Sequence, residues 1–267
     1  MSFQAAIQVR THFNNWFVTN GPILYQLVRQ QLILRYRRTF LGYLWTLFNP
    51  LLMMSVTSVV FSTIFKLDLK TYAVFLFSGM VAYNYFATCV AQTGQSLLGH
   101  EQLLKKIYVP KVLFPLSVSF TLLVDSILMA SSLFIIILGI GGKLTIALFF
   151  IPVAYVLLYF FSFGLGLILS ICVVYFRDLQ HIVGIVMQVL LFLSPVFYKP
   201  DSMAGKVKRF IDINPLTYFI KLFRDPICEG HIPELNVIFI AAVFAIVSFI
   251  AGTYFFGKNE NNIVIRL

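Results

Sequence analysis

Residues 35–65 read RYRRTFLGYLWTLFNPLLMMSVTSVVFSTIF: three arginines, Arg35, Arg37 and Arg38, run directly into an apolar stretch as long as the roughly 20 residues that cross a bilayer core. A cationic cluster at the mouth of a span marks the side that stays in the cytoplasm. The stretch is not a cleaved leader, because about forty polar or mixed residues precede it and no small-residue cleavage site flanks it.

The rest of the 267-residue chain repeats the pattern. Sixty per cent of its residues are hydrophobic, against about 45–50% apolar in soluble domains even when glycine is counted. Apolar blocks cover 43–64, 72–93, 112–138, 144–174 and 236–256, and a shorter, broken one covers 182–198. The expected fold is an all-α membrane protein of six transmembrane helices forming one domain over 1–267, in the inner (plasma) membrane. The net charge of +10 is spread over the loops, so it reads as topology and argues against nucleic acid. With both termini cytoplasmic, the inner segments hold eleven of the twenty basic residues and three of the ten acidic ones.

The links differ sharply in size. KLDLK (66–70) and GIGGK (139–143) are tiny outer turns, whereas 199–235 is long and mixes aromatic residues with prolines. Irregular backbone at membrane depth survives only where protein or an aqueous cavity satisfies it, so re-entrant short helices are expected between spans five and six. Before span one, Ile23, Leu27, Leu34 and Phe40 can share an apolar flank with the basic residues turned outward. That spacing predicts an amphipathic helix over 20–38 lying in the interface; a bare positive-inside signal is the alternative. Between spans two and three, LLGHEQLLKKIYVPK (97–111) predicts a short helix stopped near Pro110, with Glu101 one turn before Lys105. It reads as a docking surface for a partner or as a solvated loop.

The sequence offers little for chemistry. His12, His100, His181 and His231 lie in four separate regions, and Cys89, Cys172 and Cys228 are equally scattered, a pattern for neither metal nor disulfide. GIGGKLT (139–145) fails as a phosphate loop, because Ile137 and Leu144 stand where glycine and Ser/Thr are required. The chain is expected to be no enzyme and to hold no cofactor. Polar residues inside spans are better pointers, since they are expensive in hydrocarbon. Asn84, Thr88, Gln92 and Ser96 recur every four residues on span two, and Ser117, Thr121, Asp125 and Ser132 do much the same on span three; each stripe reads as a conduit lining or a helix–helix contact. Tyr83 and Tyr85 beside Asn84, and Tyr155 and Tyr159 on span four, join the conduit candidates. Ser162, Gly164, Gly166 and Ser170 on span four predict close helix packing.

Four motifs in order, RYRRTFLGYLWTLFNPLLMM, LLKKIYVPKVLFPLS, VVYFRDLQHIVGIVMQVLLFLSPVFY and INPLTYFIKLFRDPI, make residues 20–256 resemble the membrane subunit of the ABC-2 type polysaccharide exporters, which carry O-antigen, capsule or teichoic-acid chains. The resemblance implies a homodimer, each copy docked to a separate nucleotide-binding subunit that binds ATP and magnesium, with a lipid-linked glycan threaded outward between the copies. It makes 97–111 the coupling region, with His100, Glu101, Leu104, Lys105, Lys106 and Tyr108 facing the ATPase. It makes 199–230, with Pro195, Tyr198, Asn214, Pro215 and Tyr218, the external gate. Arg35, Arg37 and Arg38 would meet membrane-lipid headgroups or the lipid diphosphate of the glycan. O-antigen is the preferred cargo on family likeness alone. A drug or small-lipid exporter of the same build and an ion-coupled secondary transporter are the rival readings, the latter weakened by the absence of paired half-repeats.

Overall fold

The computed structural model describes residues 19–34, 44–106, 108–139, 145–200 and 205–263. Arg35, Arg37, Arg38, Phe40 and the turn after span three lie outside them. The described residues form helices α1 (19–34), α2 (Trp45–Phe65), α3 (Leu69–Gly99), α4 (Glu101–Lys106), α5 (Leu113–Gly139), α6 (Ile151–Tyr175), α7 (Leu179–Leu193), α8 (Gly205–Ile213), α9 (Pro215–Arg224) and α10 (Leu235–Asn259). Four helical stretches, Leu69–Lys106, Leu113–Phe134, Ile146–Tyr175 and Leu235–Asn262, are long and apolar enough to cross a membrane, and two shorter apolar helices, Leu51–Phe65 and Leu179–Leu193, accompany them. The chain is an all-α multi-pass membrane protein.

Helix α6 is the spine, flanked by α3 on one side and α10 on the other. The small residues of its sequence permit this. A Cβ on Gly164 would lie 2.3 Å from the carbonyl oxygen of Ser248 on α10, and one on Gly252 would lie 2.3 Å from the carbonyl oxygen of Gly164. On the opposite flank a Cβ on Gly166 would meet the Thr93 side chain of α3 at 2.8 Å. Without a hydrophobic force between helices in lipid, such backbone approach is what gives dispersion its range. Ser248 adds a bond, its hydroxyl donating to the carbonyl of Phe161 at 2.9 Å.

Above this contact an aromatic stack joins three helices. Phe86 of α3 lies parallel to Phe161 of α6 at 5.5 Å, and Phe161 lies parallel to Phe219 of α9 at 4.6 Å. By contrast α2, α7 and α10 bare long apolar faces, such as Met53, Val56, Val60 and Ile64 on α2. In lipid such faces are ordinary. The α2–α3 turn is only three residues: Lys66 closes α2 in the left-handed region (φ 54°), and Asp68 caps α3.

Replacing Gly164 with Val puts side-chain atoms into the Ser248 carbonyl, and overpacking of this kind destabilises by about 1–3 kcal/mol. The expected result is a lower thermal-unfolding midpoint of the detergent-purified protein than for Gly257→Val, whose Cβ meets nothing within 4 Å; equal midpoints would contradict the packing account.

Candidate functional site

The end of the bundle that carries the 66–68 turn also holds the irregular 194–200 segment and the helices α8 and α9. Asn214 builds this junction: its side-chain oxygen accepts from the Leu216 N–H at 3.0 Å, capping α9, and its amide donates to Ser194 Oγ at 2.9 Å. Pro215 follows at the first helical position, where its missing N–H is harmless. Thr217 and Tyr218 reach back across the junction, their hydroxyls donating to the carbonyls of Ile211 at 2.6 Å and Asp212 at 3.0 Å. The carbonyls of the irregular segment are satisfied by protein: Tyr72 donates to Phe197 O at 2.8 Å, and Arg224 to Val196 O at 3.2 Å. Pro195 is buried, and Tyr198 donates to Phe192 O at 3.1 Å. Helix α9 buries Leu216, Phe219, Ile220 and Phe223 against the bundle, so this region is a packed element of short helices. At its rim Asp68 accepts from the N–H and hydroxyl of Thr71, bonds that hold its carboxyl below the ordinary carboxylate value. His231 is raised by the Ile232 carbonyl and by Glu229, whose carboxylate lies 2.6 Å away.

The conduit candidates separate into two groups. Asn84, Thr88 and Gln92 lie on the open side of α3, half-buried or exposed, and Gln95 continues the line. Ser96 does not: it is buried, its hydroxyl donating to Thr93 O at 2.6 Å. The reason is geometric, since each four-residue step overshoots a 3.6-residue turn by about 40°, and three steps carry Ser96 off the face. The four tyrosines are packed within the chain. Tyr83 donates to the Met187 carbonyl of α7, and Tyr85 is 2% exposed. Tyr155 donates to Ser126 O at 3.0 Å and meets Phe223 edge-on at 4.8 Å. Tyr159 pairs with the Ser119 hydroxyl at 3.1 Å and stacks on Phe163. Asp125 is half-buried on α5.

At the opposite end a second apolar cluster gathers Leu97, Leu104, Phe114, Leu167, Phe256 and Ile263, with Leu27 of α1 against it. It joins α1, α4 and the ends of α3, α5, α6 and α10. Leu104 is the buried anchor of α4, whereas Lys105, Lys106 and Tyr108 are exposed. Lys105 pairs with Glu101 at 2.6 Å, His100 Nδ1 lies 2.8 Å from Ser96 O, and its ring tilts against Phe114. Lys111 Nζ donates to Glu260 O at 2.5 Å, tying the segment after α4 to the end of α10. On helix α1 Ile23 and Leu27 are half-buried, whereas Leu34, on the same face in the last turn, is exposed. A polar clamp holds α1: Gln31 Nε2 donates to Ser117 Oγ at 3.0 Å, and Thr121 Oγ1 donates to Gln31 Oε1 at 3.0 Å. Ser117 and Thr121, expected as a stripe with Asp125, are thus a helix–helix contact.

Sequence reasoning missed Gln31, Lys111, Glu260 and Arg224. The arginine alone left a signal, a cation directly after the YFIKLF run (218–223), which already carries Lys221. Among the described residues there is no group of three or more His, Cys, Asp or Glu side chains that could hold a metal.

A multi-pass helical bundle with an open polar face on α3, and with exposed Lys105 and Lys106 on the short helix α4, fits a membrane permease. The chain belongs to the ABC-2 type transporter family, whose profile matches residues 23–227, and the family resemblance read from the four motifs is borne out. It is 28% identical over 241 residues to the O-antigen export system permease protein RfbA of Myxococcus xanthus, covering 89% of this chain and 93% of that one. It is 27% identical to the Klebsiella pneumoniae protein of the same name over 88% of this chain and 91% of that one. The polysialic acid transport protein KpsM of Escherichia coli is 23% identical, over 85% of this chain and 89% of its own.

Substituting Gln31 with Leu removes the clamp while Ser117 and Thr121 keep their bonds to the carbonyls of Phe114 and Ser117. At about 0.6 kcal/mol per interhelical bond, amide exchange over 23–34 is expected to quicken about five- to tenfold, with exchange in α6 unchanged. Unaltered exchange in α1 would show that the clamp holds nothing.

Proposed function

We propose that this chain is the permease subunit of an ATP-driven ABC exporter that moves lipid-linked polysaccharide, O-antigen-like in class, across the inner membrane. The observation that carries the reading is similarity along nearly the whole chain to O-antigen export permeases, at 27–28% identity against 23% for the polysialic acid transport protein. The chain performs no bond chemistry. In this reading it has six spans with both termini cytoplasmic, it pairs with a second copy of itself, and ATP is hydrolysed on a separate subunit.

The geometry suggests how force would travel. The ATPase docks on the exposed side of 97–111, where Lys105, Lys106 and Tyr108 project and Leu104 does not. A push on α4 is delivered through Leu104 to the cluster it shares with Phe114, Phe256 and Ile263, and so to the inner ends of α3, α5, α6 and α10 together. Such a shared apolar seat couples a docking surface to distant helices as one body. The open line Asn84, Thr88, Gln92 and Gln95 is the part of α3 available to line a conduit between two copies. Amides and hydroxyls there hold sugar hydroxyls weakly at successive positions, which permits movement. The buried tyrosines take the role of packing that face rigidly. The region 199–230, braced by Asn214 and the Thr217 and Tyr218 bonds, closes the outer end. Arg35, Arg37 and Arg38 meet phosphate groups, of the glycan's lipid carrier or of anionic lipids.

Deletion of the gene should trap lipid-linked glycan on the cytoplasmic leaflet and deplete it from the surface, and the wild-type copy should reverse both. The Lys105→Glu, Lys106→Glu double variant should insert normally and restore less than about a tenth of surface glycan, a coupling loss on the order of 1.4 kcal/mol or more. Unchanged surface glycan in the deletion strain would overturn the substrate reading; full rescue by the double variant would overturn the docking surface.

A further inference from the structure

A cavity of 840 Å³ opens at the gate end of the bundle, between the α2–α3 turn, the 197–200 segment, α9 and the start of α10. The coupling route and the polar line on α3 make no use of it. Its most buried charged group is Arg224, only 6% exposed. The guanidinium lies 3.7 Å over the face of Phe75 and donates to Val196 O at 3.2 Å, while its Nε finds no partner among the described residues. No carboxylate of those residues forms an ion pair with it. Helix α3 is thinned to admit it, since a Cβ on Gly79 would lie 2.7 Å from a guanidinium nitrogen. An under-satisfied buried guanidinium is strongly unfavourable unless something else accepts its protons.

The walls say what could. Lys199, Lys221 and Arg224 supply donors; Asp68, Asp225, Glu229 and Glu234 supply acceptors. Formal charge is close to balanced, so the cavity has little net attraction for a simple anion or cation. Tyr72, Phe75, Phe197 and Tyr198 add aromatic wall. An acyl chain would leave the buried Nε of Arg224 without an acceptor. Sugar hydroxyls each donate and accept, and the ring's C–H faces pack on aromatic carbon, so a sugar ring satisfies both halves of the lining. The volume lies in the upper part of the range for small-molecule sites, about 300–1,000 Å³.

We propose that this cavity binds a short saccharide segment of the exported glycan at the outer face, with Arg224 and Lys221 donating to sugar oxygens. The proposal rests on the polysaccharide-export reading and its orientation. Held there, a segment that has emerged resists slipping back while the next is advanced.

Native cysteines give the test. Cys228 lines the cavity and is exposed, whereas Cys172 sits half-buried on α6, outside it. The wild-type protein in lipid nanodiscs is treated with a maleimide, with and without short oligosaccharides released by mild acid from the surface glycan of the parent strain. Labelling is read per cysteine by peptide mass. At an oligosaccharide concentration about four times Kd, labelling of Cys228 should slow about fivefold, because the free fraction is 1/(1 + [L]/Kd), with Cys172 unaffected. Lys221→Met, at a half-buried position on the rim, should reduce that protection to under about twofold at the same concentration. Absence of slowing at Cys228, equal slowing at Cys172, or full protection in the Lys221 variant would each overturn the proposal. If the deletion strain still traps its glycan inside, that failure belongs to the cavity alone; if it does not, the export reading falls with it.

Discussion

The close approach of α6 to α10, backbone to backbone at Gly164 and Gly252, is the contact on which the remaining architecture rests. It fixes the spine, and the spine carries both working ends. Toward one end, Phe161 extends it into the parallel rings of Phe86 and Phe219, which seat α9 against the bundle. Toward the other end, Leu167 and Phe256 extend it into the cluster that receives Leu104 of the short helix α4. Both ends are thus attached to one rigid middle, the condition for a displacement at one to be felt at the other.

The two ends are built on different principles. The α4 end is apolar inside and charged outside, and its joints are few: the Gln31 clamp, the Lys111 to Glu260 tie and the seat of Leu104. The α9 end is a network of side-chain bonds to main-chain carbonyls, made by Tyr72, Thr217, Tyr218 and Arg224. Irregular backbone near lipid demands this, since each unsatisfied carbonyl there is worth several kcal/mol. The same demand explains the buried Arg224, where one guanidinium nitrogen holds Val196 O.

Much of the fold was legible in the sequence. Apolar blocks mark every long helix, with α3 running six residues past its block and α6 starting seven residues into its own; the 66–68 turn follows from KLDLK, and Gly164 and Gly166 announce close packing. The short helices α8 and α9 follow from prolines among aromatic residues, with Asn214 and Pro215 carrying a recognisable capping signal. The site was less legible. Four-residue spacing put Ser96 on a face from which helical drift removes it. Tyr83, Tyr85, Tyr155 and Tyr159 read as sugar contacts by residue type, whereas the first three are buried and Tyr159 is half-buried against Ser119 and Phe163. Burial of an aromatic ring depends on which helices meet, and pairings such as Tyr155 with Phe223 span nearly 70 residues of sequence. Gln31 was invisible for the same reason, its partners lying on α5. The family was readable because it rests on ordered motifs and not on any one contact.

The central claim is that an ATPase bound at 97–111 drives glycan outward through this chain. The most direct measurement reconstitutes the permease with its nucleotide-binding partner in proteoliposomes holding radiolabelled lipid-linked glycan in the leaflet that the ATPase faces. ATP should carry the label to the opposite leaflet, and omission of either subunit or of magnesium should abolish transfer. Transfer without ATP, or ATP hydrolysis by the assembled complex with no movement of glycan, would contradict the account.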